Sequence, residues 1–351
     1  MRKLMVRWIK RSLLAFGLFM LIMLFFPTWT PAIQGEKSIS LLTQLKINGA
    51  GHEVMIRGVD RSNPILLVVH GGPGCSEIPY VRKYQQELEK QYTVVHYDQR
   101  GSGKSYHFNE DYSSLTTDIL VDDLLALTDE VMQMLDQPKV LLMGHSFGTY
   151  IGMKAAAKAP EKYYAYIGVG QVANTIESEL DSLDYTIEQA RLAGNEQDAM
   201  QLEQLRGLIE IGESYTPRNM VRKYGGAARL IDDNQDYFEG FLLNSEYNGL
   251  DVIRYLRGIM VTQKLLLKQE AESNLPVLVK ELELPVYFVM GAYDYMTSVQ
   301  SARNYFDQLE APHKSFVVFE YSAHYPHFEE KERFLSWLNE TVTPSVIVPY
   351  E

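Results

Sequence analysis

Short apolar runs alternate with helical patterns along most of this 351-residue chain, and this alternation constrains the fold more than any other feature. The runs have the length and composition of strands buried on both faces, and they comprise residues 65–69, 93–97, 140–143, 165–169, 285–290 and 315–319. Helical patterns lie near residues 79–91, 116–135, 148–159, 298–309 and 329–339. Strands that alternate with helices indicate a mostly parallel sheet with helices on both faces, so the sequence predicts an α/β fold.

Two stretches depart from this alternation. Residues 38–47 and 52–58 flank a turn-rich Asn48-Gly49-Ala50-Gly51 segment, which predicts a β-hairpin before the first buried run. A long helix-like stretch falls between the fourth and fifth buried runs and predicts an inserted helical cap. The expected organisation is a first part of the α/β core (36–171), the cap (172–270), a second part of the core (271–341) and a tail (342–351).

The N-terminal segment, residues 1–35, combines five basic residues with a long uncharged stretch. No acidic residue occurs in the first 32 positions, and no charged residue occurs from Ser12 to Gly35. This pattern is typical of an uncleaved signal anchor, or of a signal peptide that is cut, here after Ala32. The basic flank stays in the cytoplasm in both cases. The anchor predicts a single-pass protein of the cell membrane with its N-terminus in the cytoplasm and the rest outside, whereas cleavage predicts a secreted protein.

The composition argues against several classes of protein. A net charge of −12 disfavours a nucleic-acid partner, because neutralising phosphates needs an excess of Lys and Arg. The single cysteine, Cys75, excludes an intramolecular disulfide and any multi-cysteine metal cluster. The eight histidines show no metal-ligand spacing. We therefore expect neither a metal nor a cofactor.

The strongest local signal is Gly144-His145-Ser146-Phe147-Gly148, which directly follows a buried run and precedes a helical pattern. A serine in this context is typical of a nucleophile elbow, in which the glycines permit a tight turn from strand to helix. The helix that follows points its positive end at a developing oxyanion. The alternative is an ordinary serine at a helix N-cap. We predict Ser146 as a nucleophile.

A serine nucleophile needs a base, and the base needs an acidic partner. In this architecture the three follow in the order Ser, Asp or Glu, His. Asp294 and His324 each follow a buried run, at the edge where open α/β sheets bind ligands. We therefore predict Asp294 and His324 as the partners of Ser146. His327 is the close competitor, but its place at the entry to an acidic helix favours capping or packing.

An oxyanion hole needs two backbone N–H donors. The residue after the nucleophile, Phe147, provides one. The other is expected from the loop after the first buried run, which reads His70-Gly71-Gly72-Pro73-Gly74. We predict Gly72, because glycine lets the backbone approach a ligand and Pro73 has no N–H.

The stretch from Asp98 to Ser105 ends like a phosphate-binding loop. That loop needs a glycine where this chain has Asp98, so the pattern fails. We interpret the stretch as a structural turn, with Arg100 paired to a nearby acid.

Taken together, these motifs resemble the proline iminopeptidase-like branch of the α/β-hydrolase fold. The resemblance rests on His70-Gly-Gly-Pro-Gly74, Asp98-Gln-Arg-Gly-Ser-Gly103, Gly144-x-Ser146-x-Gly148, Gly291-x-x-Asp294 and Ala323-His324, in this order, and it covers residues from about 40 to 340. It implies an eight-stranded sheet, a Ser146–Asp294–His324 triad and an oxyanion hole at Gly72 and Phe147. It also implies hydrolysis of small amide or ester substrates, often by removal of an N-terminal proline.

The chain departs from this family at several positions. Proline iminopeptidases have Gly-Gly-Ser-Trp-Gly at the elbow, where this chain has His145 and Phe147, and Ala323 stands where the family has glycine. These changes leave the triad intact and weaken a preference for proline. Family members bind the free amine of the substrate with cap glutamates. Glu246 is one candidate here, although a solvated helical surface also explains an acidic cap.

The leading hypothesis is a serine hydrolase that acts through an acyl-enzyme on small amide substrates, as an aminopeptidase of the proline iminopeptidase type. The alternative is a carboxylesterase or lipase that uses the same triad on uncharged acyl esters. A catalytically silent binding protein is disfavoured, because all three triad members are present. The expected partners are a small peptide or acyl substrate and, through the N-terminal segment, a membrane. The oligomeric state stays open.

Overall fold

The computed structural model describes residues 2–347, so the last four residues of the predicted tail lie outside it. Its centre is a single eight-stranded sheet in the order β1-β2-β4-β3-β5-β6-β7-β8. The strands are β1 (Ile39–Ile47), β2 (Ala50–Gly58), β3 (Ile65–Val69), β4 (Thr93–Tyr97), β5 (Val140–His145), β6 (Tyr163–Val169), β7 (Val286–Gly291) and β8 (Lys314–Phe319). The first two form the predicted hairpin, β2 pairs with β4 antiparallel, and the remaining pairs are parallel. The predicted α/β fold with an eight-stranded, mostly parallel sheet is confirmed.

Helices precede the sheet, cover it and fill the insertion between β6 and β7. They are α1 (Arg2–Phe25), α2 (Arg82–Gln85), α3 (Thr117–Leu135), α4 (Phe147–Lys158), α5 (Thr175–Leu192), α6 (Glu196–Glu203), α7 (Arg206–Glu210), α8 (Arg218–Lys223), α9 (Asp233–Leu243), α10 (Gly249–Glu272), α11 (Leu275–Leu278), α12 (Val299–Gln308), α13 (Pro326–Glu329), α14 (Lys331–Trp337) and α15 (Thr343–Val346). Short 3-10 turns occur at Leu88–Lys90, Gly103–Ser105 and Pro160–Lys162, and a π-helical turn occurs at Leu338–Val342. The insertion from α5 to α10 occupies the place of the predicted cap, and we use that name for it below.

The central strands are buried on both faces because helices cover both. In β3, Leu67 and Val69 pack into one hydrophobic cluster with side chains of α3 and α4, whereas Leu66 and Val68 pack into a second cluster on the other face. This alternation follows from the two-residue period of a strand. The chain runs from β3 to β4 on one side and from β5 to β6 on the other, so the sheet order reverses between β3 and β5. Loops diverge at such a switch point and leave a crevice for a ligand.

Two predicted helices are shorter or more broken than the sequence suggests. Only α2 and one 3-10 turn form within residues 79–91, where Glu89 turns inward to bind the buried Arg57 at 2.7 Å. Within residues 329–339 the helix is interrupted at Glu330, whose φ and ψ are −120° and 49°. Glu329 and Glu330 use this break to accept hydrogen bonds from backbone N–H groups in the loop that carries His324. Long-range polar contacts thus override the local helical pattern.

The beginning of the predicted tail packs against the core. Val342 is fully buried, and α15 begins at the next residue. Tyr92 is 2.7 Å from the hydroxyl of Thr343, and Tyr287 is 2.6 Å from that of Ser345. The folded core therefore continues to Ile347.

The helix α1 stands outside the core. Its stretch Arg7–Phe25 has 19 residues and a mean hydropathy of 1.8 in its most apolar window. None of the residues in that window is buried against the rest of the protein. A helix of this length and composition is long and apolar enough to cross a membrane, and a signal sequence meets the same description.

Candidate active site

Ser146 lies at the tight turn between β5 and α4, as the elbow motif predicts. Its φ of 55° and ψ of −128° are unusual for a residue other than glycine. The flanking glycines are required by space. A Cβ on Gly144 would lie 2.7 Å from the carbonyl oxygen of Gly148, and a Cβ on Gly148 would collide with the carbonyl oxygen of Val69. The backbone therefore holds Ser146 in this conformation through the close approach of β3, β5 and α4.

Asp294 and His324 form a direct pair. The Nδ1–H group of His324 donates to Asp294, with Nδ1 2.9 Å from Oδ2 and 3.1 Å from Oδ1. Asp294 is fully buried and accepts further hydrogen bonds from the backbone N–H groups of Met296 and Thr297, each at 3.0 Å. These donors hold the carboxylate in place, and the pairing leaves Nε2 of His324 as the ring nitrogen that can accept a proton.

The ionisation of His324 is set by its surroundings. Burial lowers its pKa below the ordinary value of 6.5, and the negative charge of Asp294 opposes this shift. The net direction is downward, which keeps the imidazole neutral near neutral pH. A neutral imidazole is the form that a general base needs.

One cavity of about 440 Å³ is lined by Ser146, His324, Gly72 and Phe147, and Asp294 lies behind His324. The structure thus brings together the sequence-predicted residues at the switch point of the sheet. The loop after β3 lies directly against the nucleophile, because a Cβ on Gly71 would lie only 2.7 Å from the Cβ of Ser146. Gly72 has a φ of +118°, a conformation that glycine adopts without strain. The backbone at Gly72 and at the first turn of α4 can therefore approach a ligand in this cavity.

His327, the competing candidate for the base, does not line this cavity. It is buried, and neither ring nitrogen makes a hydrogen bond with any of residues 2–347. Its ring centroid lies 4.7 Å from that of His145 and 3.9 Å from that of Phe328. His327 therefore has a packing role, and His324 is the histidine that meets Asp294.

Sequence reasoning missed a buried pair beside the site, Glu77 and His145. Nδ1 of His145 is 2.7 Å from Oε1 of Glu77, and Nε2 of His145 is 3.1 Å from the backbone oxygen of His324. Burial would raise the pKa of Glu77, but His145 and two further histidines outweigh it and hold that pKa at about 2. The one signal in the sequence was the presence of His145 where the family pattern has glycine.

Among residues 2–347, Glu77, His145 and His327 form a group that could hold a metal ion. Their ligand atoms lie within 4.8 Å of one another, and all three side chains are buried. The direct 2.7 Å contact between Glu77 and His145 already satisfies one atom of each, so this pair needs no ion to explain it.

Two further acidic side chains line the cavity, and both come from cap helices at positions that the sequence did not single out. Glu179 on α5 is bound by the guanidinium of Arg218 and by the backbone N–H of Thr216 at 2.7 Å. Glu270 on α10 also lines the cavity, and its carboxylate makes no hydrogen bond or ion pair with any described residue. Burial raises the pKa of Glu270 to about 8. Glu270 is thus a buried acid in the cavity whose burial is only partly offset by the charge of Arg218.

Glu246, the cap glutamate suggested by the sequence, lies elsewhere. It is fully buried outside the cavity, where Arg82 binds it at 2.7 Å and the hydroxyl of Thr30 donates to it at 2.9 Å. The expectation that Glu246 could bind a substrate amine is therefore corrected, because its carboxylate is used within the fold.

The stretch from Asp98 to Ser105 forms a structural turn. Asp98 is buried and accepts hydrogen bonds from the backbone N–H of Lys104 and the hydroxyl of Tyr247, both at 2.6 Å. Arg100 binds Asp123 on α3 at 2.7 Å. The Asp98 carboxylate therefore closes the turn through hydrogen bonds within the fold.

Comparison with known proteins identifies the family. The family model for the alpha/beta hydrolase fold matches residues 64–331, and the chain belongs to this family. A Bacillus subtilis protein named probable aminopeptidase YbaC is 31% identical over 314 residues, which cover 88% of this chain and 98% of that protein. A proline iminopeptidase of Heyndrickxia coagulans is 26% identical over 271 residues, 77% of this chain and 88% of that protein.

Solved structures agree at the level of the fold. The crystal structure of a proline iminopeptidase of Mycobacterium smegmatis has a TM-score of 0.62 at 16% sequence identity, covering 86% of this chain and 97% of that one. The resemblance to the proline iminopeptidase-like branch is confirmed by these relatives taken together. The chain is a hydrolase of this type.

Proposed function

We propose that the protein is a membrane-anchored serine aminopeptidase that releases N-terminal residues from small peptides. The observation that carries the proposal is the convergence of Ser146 and the Asp294–His324 pair at one cavity. The names of the curated relatives support an aminopeptidase over an esterase.

In the proposed reaction the hydroxyl of Ser146 attacks the carbonyl carbon of the scissile amide, and Nε2 of His324 takes its proton. Asp294 holds the ring through Nδ1 and stabilises the imidazolium that forms. The oxyanion of the tetrahedral intermediate accepts hydrogen bonds from the N–H groups of Gly72 and Phe147. His324 then donates its proton to the leaving amine, and water hydrolyses the acyl-enzyme by the same route.

The free amine of the substrate is proposed to bind Glu270. This carboxyl is buried in the cavity, and its pKa is raised to about 8 because burial disfavours the negative charge. A substrate cation beside it would stabilise the carboxylate and offset that cost. Glu179 also lines the cavity, but Arg218 already neutralises it. An aminopeptidase needs such a group, because the positive terminus of its substrate is carried into a largely desolvated site.

A carboxylesterase is the second candidate, and one observation favours it. The cavity is also lined by apolar and aromatic side chains of the cap, among them Phe241, Leu256 and Ile259. These would accept an uncharged acyl chain equally well. The two candidates differ in whether the substrate needs a charged amine.

The N-terminal helix α1 is proposed as a retained membrane anchor. The basic residues in the N-terminal half of α1 support a cytoplasmic N-terminus and an external catalytic domain. Contacts of residues 26–33 with the core and the cap, described below, support retention over cleavage.

The test compares the full-length protein, in detergent, with its Ser146→Ala and Glu270→Gln variants. Substrates are the prolyl and alanyl anilides, the acetylated alanyl anilide and short acyl esters. Turnover of the free-amine anilides alone, lost in Ser146→Ala and weakened in Glu270→Gln, is the expected result. Turnover of the esters alone would contradict the aminopeptidase proposal and support the carboxylesterase. Turnover that persists in Ser146→Ala would contradict both candidate functions.

A further inference from the structure

We propose that an apolar face of the cap lies on the lipid bilayer that α1 enters, so that the rim of the active-site cavity is held at the membrane surface. This inference rests on the proposed anchoring of α1 and concerns the outer surface of the cap rather than the triad. The partner is the bilayer.

Residues 26–33, which we call the strap, are docked onto the folded protein. The N–H of Trp29 donates to the backbone oxygen of Ser245 at 2.9 Å, and the hydroxyl of Thr30 donates to Glu246 at 2.9 Å. Arg57 of the core donates to the hydroxyl of Thr30 at 2.6 Å. The strap thus connects a core strand to the segment between α9 and α10.

Further contacts fix the point at which α1 leaves the protein. Lys104 donates to the hydroxyl of Thr28 at 2.8 Å, and Asn248 donates to the backbone oxygen of Phe26 at 3.0 Å. A Cβ on Gly249 would lie 3.2 Å from Cα of Leu24, so the end of α1 touches the first turn of α10. With the strap held at both ends, α1 cannot swing freely about its junction with the cap.

The cap presents apolar side chains to solvent on the two helices next to this junction. They are Phe238, Leu242 and Leu243 on α9 and Ile253, Leu256 and Met260 on α10, with exposed fractions between 43% and 79%. Such a concentration of large exposed apolar side chains on two adjacent helices marks an interaction surface, since scattered single residues are the normal case.

The exposed stripe of α10 is continuous with the anchor. Gly249, Ile253, Leu256 and Met260 are spaced by four, three and four residues, so they lie along one side of the helix. The stripe therefore begins where α1 makes contact. Leu256 also lines the active-site cavity while it is 53% exposed, which places it at the rim.

The charges on α10 agree with a lipid partner. Arg257 and Lys264 are exposed on this helix although the chain as a whole carries a net charge of −12. Lys268 is exposed as well and lies 3.5 Å from Glu272 on the next turn. A helix with apolar side chains on one side and basic side chains beside them is typical of a segment that lies in a membrane interface with anionic lipids. Trp29 in the strap is 56% exposed, and tryptophan is enriched at the same depth.

The test measures whether this face meets lipid in the full-length protein reconstituted into phosphatidylcholine–phosphatidylglycerol vesicles. Leu242→Cys and Met260→Cys variants are labelled with an environment-sensitive dye, and a lipid-borne quencher is added. The matched control is Glu332→Cys on α14, a side chain that is 79% exposed. Burial raises the pKa of the native Cys75 thiol to about 11, so this thiol reacts slowly with the dye. Wild-type protein labelled in parallel measures the background signal from Cys75.

We expect the lipid-borne quencher to reduce the signal at Leu242→Cys and Met260→Cys several-fold more than at Glu332→Cys. Equal quenching at all three positions, on protein that resists carbonate extraction, would overturn the proposed face and leave the anchor in place. Protection from aqueous iodide without lipid quenching would assign the face to a protein partner or a second copy and also overturn it. Protein that washes off the vesicles would overturn the anchoring on which the inference rests.

Discussion

Nε2 of His145 lies 3.1 Å from the backbone oxygen of His324, so the residue before the proposed nucleophile binds the main chain of the proposed base. Its other ring nitrogen lies 2.7 Å from Glu77. Glu77 and His145 therefore form a buried, hydrogen-bonded pair that positions the loop of His324.

The first prediction concerns this pair. We expect Glu77→Gln to lower kcat about tenfold or more with a smaller change in KM, because the side chain that orients His145 changes and the contact of His145 with the His324 loop weakens. Removing one partner of a buried pair also destabilises the fold by about 3 kcal/mol. Steady-state kinetics and urea unfolding measure the two effects. The control is Asp129→Asn, which breaks an exposed pair with Lys162 and should cost less than about 1 kcal/mol. Unchanged kcat in Glu77→Gln would contradict the positioning role.

The second prediction concerns the pH dependence of activity. Burial lowers the pKa of His324 below 6.5, and the neutral ring is the active form. Activity should therefore persist below pH 6.5, and the acid limb of kcat/KM should have its midpoint under that value. Asp294→Asn should reduce kcat by roughly 100-fold or more, because the ring loses its orienting carboxylate. A midpoint above 6.5 in the wild-type profile would argue against His324 as the base.

The third prediction concerns Glu270. Its pKa is raised to about 8 in the folded protein from an ordinary value of 4.5, so folding favours the protonated form. The stability from this proton is present below pH 4.5 and is lost as the pH rises through 8. The free energy of unfolding of Glu270→Gln relative to wild type should therefore increase between pH 5 and pH 8, as followed by urea unfolding. A difference that stays flat across this range would contradict the raised pKa.

The same variant separates the two candidate functions. With a free-amine anilide we expect the KM of Glu270→Gln to rise at least tenfold, whereas the KM for a short acyl ester should stay within about twofold. Glu246→Gln is the comparison, because Glu246 lies outside the cavity and should alter stability without altering this ratio.

The fourth prediction concerns the glycine after the elbow. Gly148→Ala should destabilise the protein by more than about 3 kcal/mol or prevent folding, because the new methyl group would meet the backbone of β3. Gly207→Ala on α7 is the matched control. No atom lies within 4 Å of its added Cβ, so it should be neutral or stabilising by up to about 1 kcal/mol. Thermal unfolding of the two variants checks both values, and a well-folded, active Gly148→Ala protein would refute the steric account.

The sequence was sufficient for the fold and for the positions of the three residues of the predicted triad. Ser146 could be placed at a tight turn because a strand, a glycine turn and a helix follow one another within a few residues, and Asp294 and His324 could be placed at the same edge because each follows a strand. The contacts of Glu246 could not be found in this way. Its partners Arg82 and Thr30 lie 164 and 216 residues away in the chain, and no local pattern encodes such a meeting. The role of Glu77 was hidden for the same reason, since its partner lies 68 residues away.

The strap also determines where this chain can be divided. Arg57, Lys104 and Glu246 are all buried, and each binds a group within residues 26–33. Cleavage after Ala32 would remove one hydrogen-bond partner from each of these three buried ionisable side chains. This loss would destabilise the fold wherever water cannot take the partner's place. Cleavage between Phe25 and Phe26 would remove α1 and keep every one of these contacts. By this measure the folded unit begins at Phe26, and a peptidase that separates it intact from α1 has to cut between α1 and the strap.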